Sequence, residues 1–255
     1  MMGDMPLFYL RRLTGRKRSE TANHHLACYL AFVAGAANAG GFLAVRQYTS
    51  HMTGIVSAMA DNFAAGRISL ALGGFAAFLS FLLGAVVTTL LIRWARGHAL
   101  ESVYALPLVI EAAMLTIFGF TGTVFSGHSV LGTVMLLCFT MGLQNAMITK
   151  LSKAVIRTTH LTGMTTDIGI ALGRILSRRF ANARLEDDRI APASEMAKLR
   201  LLSSLIALFF AGAVVGALGF KYVGFFFTLP LAILLLLLAA VPVIDDLRRL
   251  ERPST

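Results

Sequence analysis

Ser50–Gly54 reads SHMTG, and 109 residues later Thr159–Gly163 reads THLTG. Both runs are short, polar and glycine-containing, in a chain of which 56% is hydrophobic and only 14% charged. Each closes a longer pattern. GAANA (Gly35–Ala39) stands 11 residues before the first histidine, and GLQNA (Gly142–Ala146) stands 13 before the second. Each half therefore reads G-x-x-N-A, a short interval, then H-[ML]-T-G. Downstream, ALPL at Ala105–Leu108 is echoed by TLPL at Thr228–Leu231. The offset grows from 109 residues at the histidines to 123 at the prolines, and the polar run 177–200 in the second half accounts for the growth. Three matched elements in the same order point to an internal duplication.

The solvent of this chain is mostly lipid. A soluble domain carries about 25% charged residues, well above the fraction here, and the mean hydropathy is +0.73. Six apolar stretches, roughly 26–45, 68–92, 102–124, 129–149, 201–220 and 222–244, are each long enough to cross a bilayer, which takes about 20 residues per helix. The formal charge of +10 suggests nucleic acid at first sight, but its distribution follows membrane topology instead. With the N-terminus inside, twenty Lys and Arg fall in the cytoplasmic segments and only Arg46, Arg67 and Lys221 outside. The positive-inside rule then puts both termini in the cytoplasm. Cys28 and Cys138 fall inside spans, where they read as small packing residues rather than a disulfide or a metal pair. No catalytic, metal or phosphate-loop motif is present in the sequence, so no enzyme, cofactor or metal is expected.

The expected fold is an all-α polytopic membrane protein, with about six transmembrane helices as two inverted three-helix repeats. A basic cytoplasmic tail (1–24) precedes repeat 1 (25–124). Repeat 2 (125–247) includes a cytoplasmic loop at 177–200, and a short cytoplasmic tail (248–255) follows. Each repeat carries an extra segment after its first span, at 46–67 and at 150–174, too polar for a confident crossing. If these segments re-enter or break rather than cross, each half has an odd number of spans and the halves are oppositely oriented, as in many transporters. If both cross fully, the chain has eight spans and parallel halves.

A segment that dips into a membrane must satisfy its backbone without water. A half-helix does so except at its first turn. Ser50 or Thr53 and Thr159 or Thr162 are candidate caps for two such helices, and Gly54 and Gly163 candidate tight turns. Two helix starts meeting near the midplane would attract an anion or a polar solute. The pathway candidates are thus His51, Thr53, Gly54, His160, Thr162, Gly163, Asn38 and Asn145. Caps and turns are the plainer account of the threonines and glycines, and interhelical hydrogen bonding that of Asn38, Asn145 and the neighbouring Gln144. Glu111, ten residues into the third span, is a proton-coupling candidate because intramembrane carboxylates usually face a cavity, a partner or a proton path. Asp61 and Asp167, in the two extra segments, are further candidates; Asp61 shares a helical face with Ser57 and Gly54.

AGAANAGGFLA, SHMTG and GLQNAMITKLSKAVIRTTHLTGMTTDIGIALGR resemble the YoaK family of bacterial inner-membrane proteins, a family named for an uncharacterised domain. The resemblance covers about 25–244 and implies a polytopic fold of about six spans in the bacterial inner membrane. It implies no substrate and no reaction. The residues themselves support a small-solute permease or channel; a non-transporting membrane scaffold or sensor is the alternative, and a membrane enzyme ranks third. The expected partners are the lipid bilayer and an unidentified small solute, with a homo-oligomer left open and no nucleic acid.

Overall fold

The computed structural model describes residues 5–16, 18–124, 130–151, 159–180 and 192–251. Among them every regular element is helical: α1 (Met5–Thr14), α2 (Glu20–Val45), α3 (Met52–Ala64), α4 (Ile68–Gly97), α5 (Ala105–Val124), α6 (Val130–Leu151), α7 (Leu161–Phe180), α8 (Pro192–Tyr222) and α9 (Thr228–Leu250), the last entered through a 3-10 turn at Gly224–Phe227. Five helices are long and apolar enough to cross a membrane: α2, α4, α6, α8 and the run Gly224–Arg249. The apolar run of α5, Ala105–Thr121, is shorter. This is the make-up of a polytopic membrane protein.

The apolar stretches read from the sequence are the cores of α2, α4, α5, α6, α8 and α9, and several helices run on beyond them. Ser19 caps α2, accepting a hydrogen bond from Ala22 N (3.2 Å). Arg46 ends it in the left-handed region at φ 55. ALPL and TLPL each form the first turn of a helix, α5 and α9, where a proline's missing N–H has no intrahelical partner to lose. The stretch read as an N-terminal tail contains a helix, α1. Helix enters both ends of the stretch read as a cytoplasmic loop at 177–200, because α7 continues to Phe180 and α8 begins at Pro192; residues 181–191 lie outside the described residues. The extra segment 46–67 contains α3 and the extra segment 150–174 contains the first part of α7; 152–158, within the second, also lie outside the described residues.

Small residues govern how the long helices meet. In lipid there is little hydrophobic gain from bringing helices together, so close backbone packing does the work. Gly35 of α2 lies against Phe209 O and Ala213 N of α8, and Gly212 of α8 against Phe32 O of α2. Gly142 of α6 lies against Phe81 O of α4, and Gly84 of α4 against Phe139 O and Leu143 N of α6. A Cβ at Gly35 or Gly142 would collide with a backbone carbonyl. Thr88 adds a side-chain bond from α4 to Leu143 O (3.0 Å). Along both seams residue numbers rise together, so α2 is parallel to α8 and α4 to α6. α5 runs antiparallel to α9: Gly119, near the end of α5, meets Thr228 at the start of α9. The outer faces of α4 and α8 leave large apolar side chains such as Leu72, Leu83, Leu90 and Phe210 exposed, as a lipid-facing surface would.

The end of the bundle that holds α1 is tied by polar bonds. Arg11 grips Asp245 of α9 through Nε (2.6 Å) and Nη2 (2.8 Å). Asp246, buried, accepts from the backbone N–H groups of Glu101 and Ser102, both at 2.8 Å, just ahead of α5. Thr14 donates to Leu238 O (2.8 Å). The Arg18 guanidinium sits over the Tyr104 ring, 5.0 Å from its centroid, and burial pushes its pKa down to about 10. At the opposite end Phe118, Phe220 and Phe225 pack edge to face or tilted, at 5.5–6.3 Å between centroids.

Gly142→Ala is expected to destabilise the protein by about 1–3 kcal/mol, because backbone yields less readily than side chains to overpacking. Gly169 in α7 faces open space, so Gly169→Ala is expected to be neutral or stabilising by up to about 1 kcal/mol. Thermal midpoints of the purified variants in detergent check both signs.

Candidate functional site

The two H-x-T-G runs form the starts of the two short helices, α3 and α7. His51 and His160 each stand one residue before the helix. Ile55 N bonds back to His51 O at 3.1 Å, and Met164 N bonds back to His160 O at 3.1 Å. The N–H groups of the three residues between histidine and bonded amide therefore precede the helical ladder in both copies. Neither Ser50 nor Thr53 caps α3: His51 occupies the cap position and no side chain accepts there. This corrects the expected capping of α3 by Ser50 or Thr53; the Ser50 hydroxyl is turned to another partner.

That partner is an asparagine in each half. Asn38 Oδ1 accepts from Ser50 Oγ (3.0 Å) and Ser50 N (3.4 Å). Asn145 Oδ1 accepts from Thr159 Oγ1 (2.6 Å), while its Nδ2 donates to Met141 O (2.8 Å). The asparagine of each G-x-x-N-A run thus holds the residue just before each histidine. The bond joins a long helix to the start of a short one rather than two long helices to each other.

The glycines explain the fixed spacing of H-x-T-G. The His51 imidazole lies over Gly54, and the His160 imidazole over Gly163. A Cβ on either glycine would strike the ring. The facing ring edges, Cδ2 with Nε2 in one copy and Nδ1 with Cε1 in the other, are those exchanged by a ring flip, so the two rings share one pose. Glycine three residues after the histidine leaves room for the ring against the first turn.

Both motifs face one cavity of about 1110 Å³. Asn38, Ser50, His51 and Thr53 line it from the first half, and Asn145, Thr159, His160 and Thr162 from the second. His51, Thr53, His160 and Thr162 are exposed there, while Asn38 is 9% exposed. Gly54 and Gly163 sit beneath the rings. The walls are apolar: Phe42, Leu43 and Tyr48, then Phe81 of α4, and Phe209, Ala213 and Val214 of α8. Phe81 and Phe209 were not singled out in the sequence, yet a signal exists. Each stands three residues before a packing glycine, as Phe32 and Phe139 do on the partner helices.

The three acids lie off this cavity. Glu111 is fully buried in α5, and neither of its carboxyl oxygens has a hydrogen-bond partner among the described residues. Gln144 of α6, also fully buried, donates to Leu30 O (3.1 Å) and leaves its Oε1 unpartnered. Asp61 is exposed on α3. Asp167 of α7 pairs with Lys198 of α8 at 3.1 Å. Cys28 and Cys138 are free thiols. Among the described residues no group of three or more His, Cys, Asp or Glu could hold a metal.

An all-helical bundle, among the described residues, with five helices long and apolar enough to cross a membrane is consistent with a multi-pass membrane protein. The family model described as a protein of unknown function (DUF1275) matches residues 26–241, and the chain belongs to that family. No curated protein and no solved structure matches it.

Asn145→Ala removes the anchor of Thr159. A hydrogen bond contributes about 1 kcal/mol, so amide exchange at the start of α7 is expected to speed up about fivefold through easier local opening. Hydrogen–deuterium exchange with mass spectrometry on residues 159–165 reads it, with exchange in α4 unchanged.

Proposed function

We propose that the protein is a small-solute permease or channel whose site lies between two inverted three-helix repeats, in a bacterial inner membrane with both termini cytoplasmic. The observation that carries the proposal is the cavity of about 1110 Å³ lined by both copies of the H-x-T-G run. A site made of two equivalent halves, each at the start of a broken helical segment, is how inverted-repeat transporters bind a solute near the midplane.

Several features support the duplication and its inversion. The seam of α2 with α8 corresponds to that of α6 with α4, glycine for glycine: Gly35 with Gly142, and Gly212 with Gly84. Corresponding helices run in opposite directions. α5 and α9 do so directly, and Asn23 at the start of α2 bonds Leu151 O at the end of α6 (3.4 Å). The bond from Ser50 to Asn38 has its counterpart from Thr159 to Asn145. The orientation in the membrane rests on the cytoplasmic excess of Lys and Arg.

Within this reading, His51, Thr53, His160, Thr162, Asn38 and Asn145 line the pathway, while Gly54 and Gly163 set the imidazoles. Glu111 is the candidate proton carrier. A fully buried carboxyl with both oxygens unpartnered is costly to keep, and its repeat counterpart is Leu234, so duplication does not explain it. Asp61 and Asp167 are weaker candidates, the second being occupied by Lys198. We read the protein as no enzyme and no nucleic-acid binder; its partners are the bilayer and a small solute.

Water in the cavity is the first test. With Cys28 and Cys138 replaced by Ala, single cysteines at Thr53 and Thr162 are expected to react with a membrane-impermeant maleimide in intact proteoliposomes. Reaction only after denaturation would favour a packed, non-transporting scaffold.

A further inference from the structure

Among the described residues, the cavity is lined by hydrogen-bond donors and by no carboxylate. Asn38 is 9% exposed, and its Oδ1 is already taken by Ser50. The amide orientation is fixed, because the Ser50 backbone N–H can only donate. Asn38 lines the cavity, and its NH2 has no acceptor among the described residues. The N–H groups that open α3 and α7 lie beside both histidines. The side-chain acceptors of the described lining residues are hydroxyl and amide oxygens and imidazole nitrogens, none of them a carboxylate.

The charges around the histidines point the same way. Among the described lining residues from α2, α4, α6 and α8, every side chain is neutral, and Tyr48 is the only titratable group besides His51 and His160. On the short helices, Asp61 lies ten residues beyond its histidine, and Asp167 is paired with Lys198. Glu111 is buried on α5 and does not line the cavity. A proton on either imidazole therefore meets no carboxylate among the lining residues, and it sits at the positive end of a helix. An anion in the cavity is what would stabilise it. The phenyl and aliphatic walls, with a volume suited to a small organic molecule, add an apolar body to that anion.

We propose that the cavity binds a small organic carboxylate and takes up a proton at His51 or His160 as it does so. The proposal rests on reading the cavity as a solute site. A bound carboxylate favours the protonated imidazole, so anion and proton assist each other's binding and affinity falls as pH rises through neutrality. The carboxylate itself stays ionised throughout.

Purified full-length protein in detergent tests this with radiolabelled benzoate, and with benzamide and benzylamine as neutral and cationic counterparts. Benzoate is expected to bind best, tightening by up to about tenfold per pH unit from pH 8 to 6 for one proton taken up. His51→Gln and His160→Gln, checked for unchanged elution on size exclusion, are expected to flatten that dependence, most fully when combined. Benzamide or benzylamine binding as tightly as benzoate would overturn the proposal and leave the solute site standing. So would pH-independent benzoate binding, or no benzoate binding to protein whose Thr53→Cys variant labels from water. No binding of any probe, with Thr53→Cys unlabelled, would remove the solute site as well.

Discussion

A helix that starts inside a protein of this kind leaves free N–H groups, and lipid has nothing to offer them. The rest of the structure is arranged around two such starts. A serine or threonine would ordinarily turn back and cap the helix. Here Ser50 and Thr159 bond Asn38 and Asn145 instead, so their hydroxyls anchor the chain rather than quench the helix ends. His51 takes the cap position of α3 without closing it. What remains is a pair of donor-rich ends, each with an imidazole laid over its first turn, facing a shared space.

That space exists because the long helices approach closely elsewhere. The glycine seams of α2 with α8 and of α4 with α6 bring backbones into contact, and the phenylalanines three residues before Gly84 and Gly212 turn into the cavity wall. α3 and α7 have few buried side chains; Ile55 is the one in α3. They are held mainly by α4 and α8 and by the asparagine bonds. A short helix with so little burial is a natural low-stability element, placed where a solute site needs one. The polar ties of Arg11, Asp245 and Asp246 at the far end of α9 fix α1 and the start of α5, well away from the motifs.

Much of this was legible in the sequence, for physical reasons that differ from element to element. Hydropathy marks the middle of a helix, so the apolar cores of α2 and α4 were readable, while the polar extensions of α7 to Phe180 and α8 back to Pro192 were not. α1, MPLFYLRRLT, is far too short to read as a span and carries two arginines, so hydropathy over a bilayer-length window passes over it; its partner Asp245 is 234 residues away. The repeat of G-x-x-N-A and H-x-T-G drew attention to residues that line one cavity, because duplication leaves a signal that one copy alone lacks. It did not reveal what binds what. Ser50 looked like a cap because capping is local, whereas its acceptor is 12 residues back on the preceding helix. The use of glycine as a seat for an imidazole became clear only once the ring was placed.

The central claim is that both H-x-T-G runs face one internal space. Spin labels on single cysteines at Thr53 and Thr162, in a background free of Cys28 and Cys138, measure it directly by pulsed electron paramagnetic resonance in nanodiscs. The account predicts one dominant separation well below the hydrocarbon thickness of about 30 Å. A separation at or above that thickness would put the two starts on opposite surfaces and contradict it.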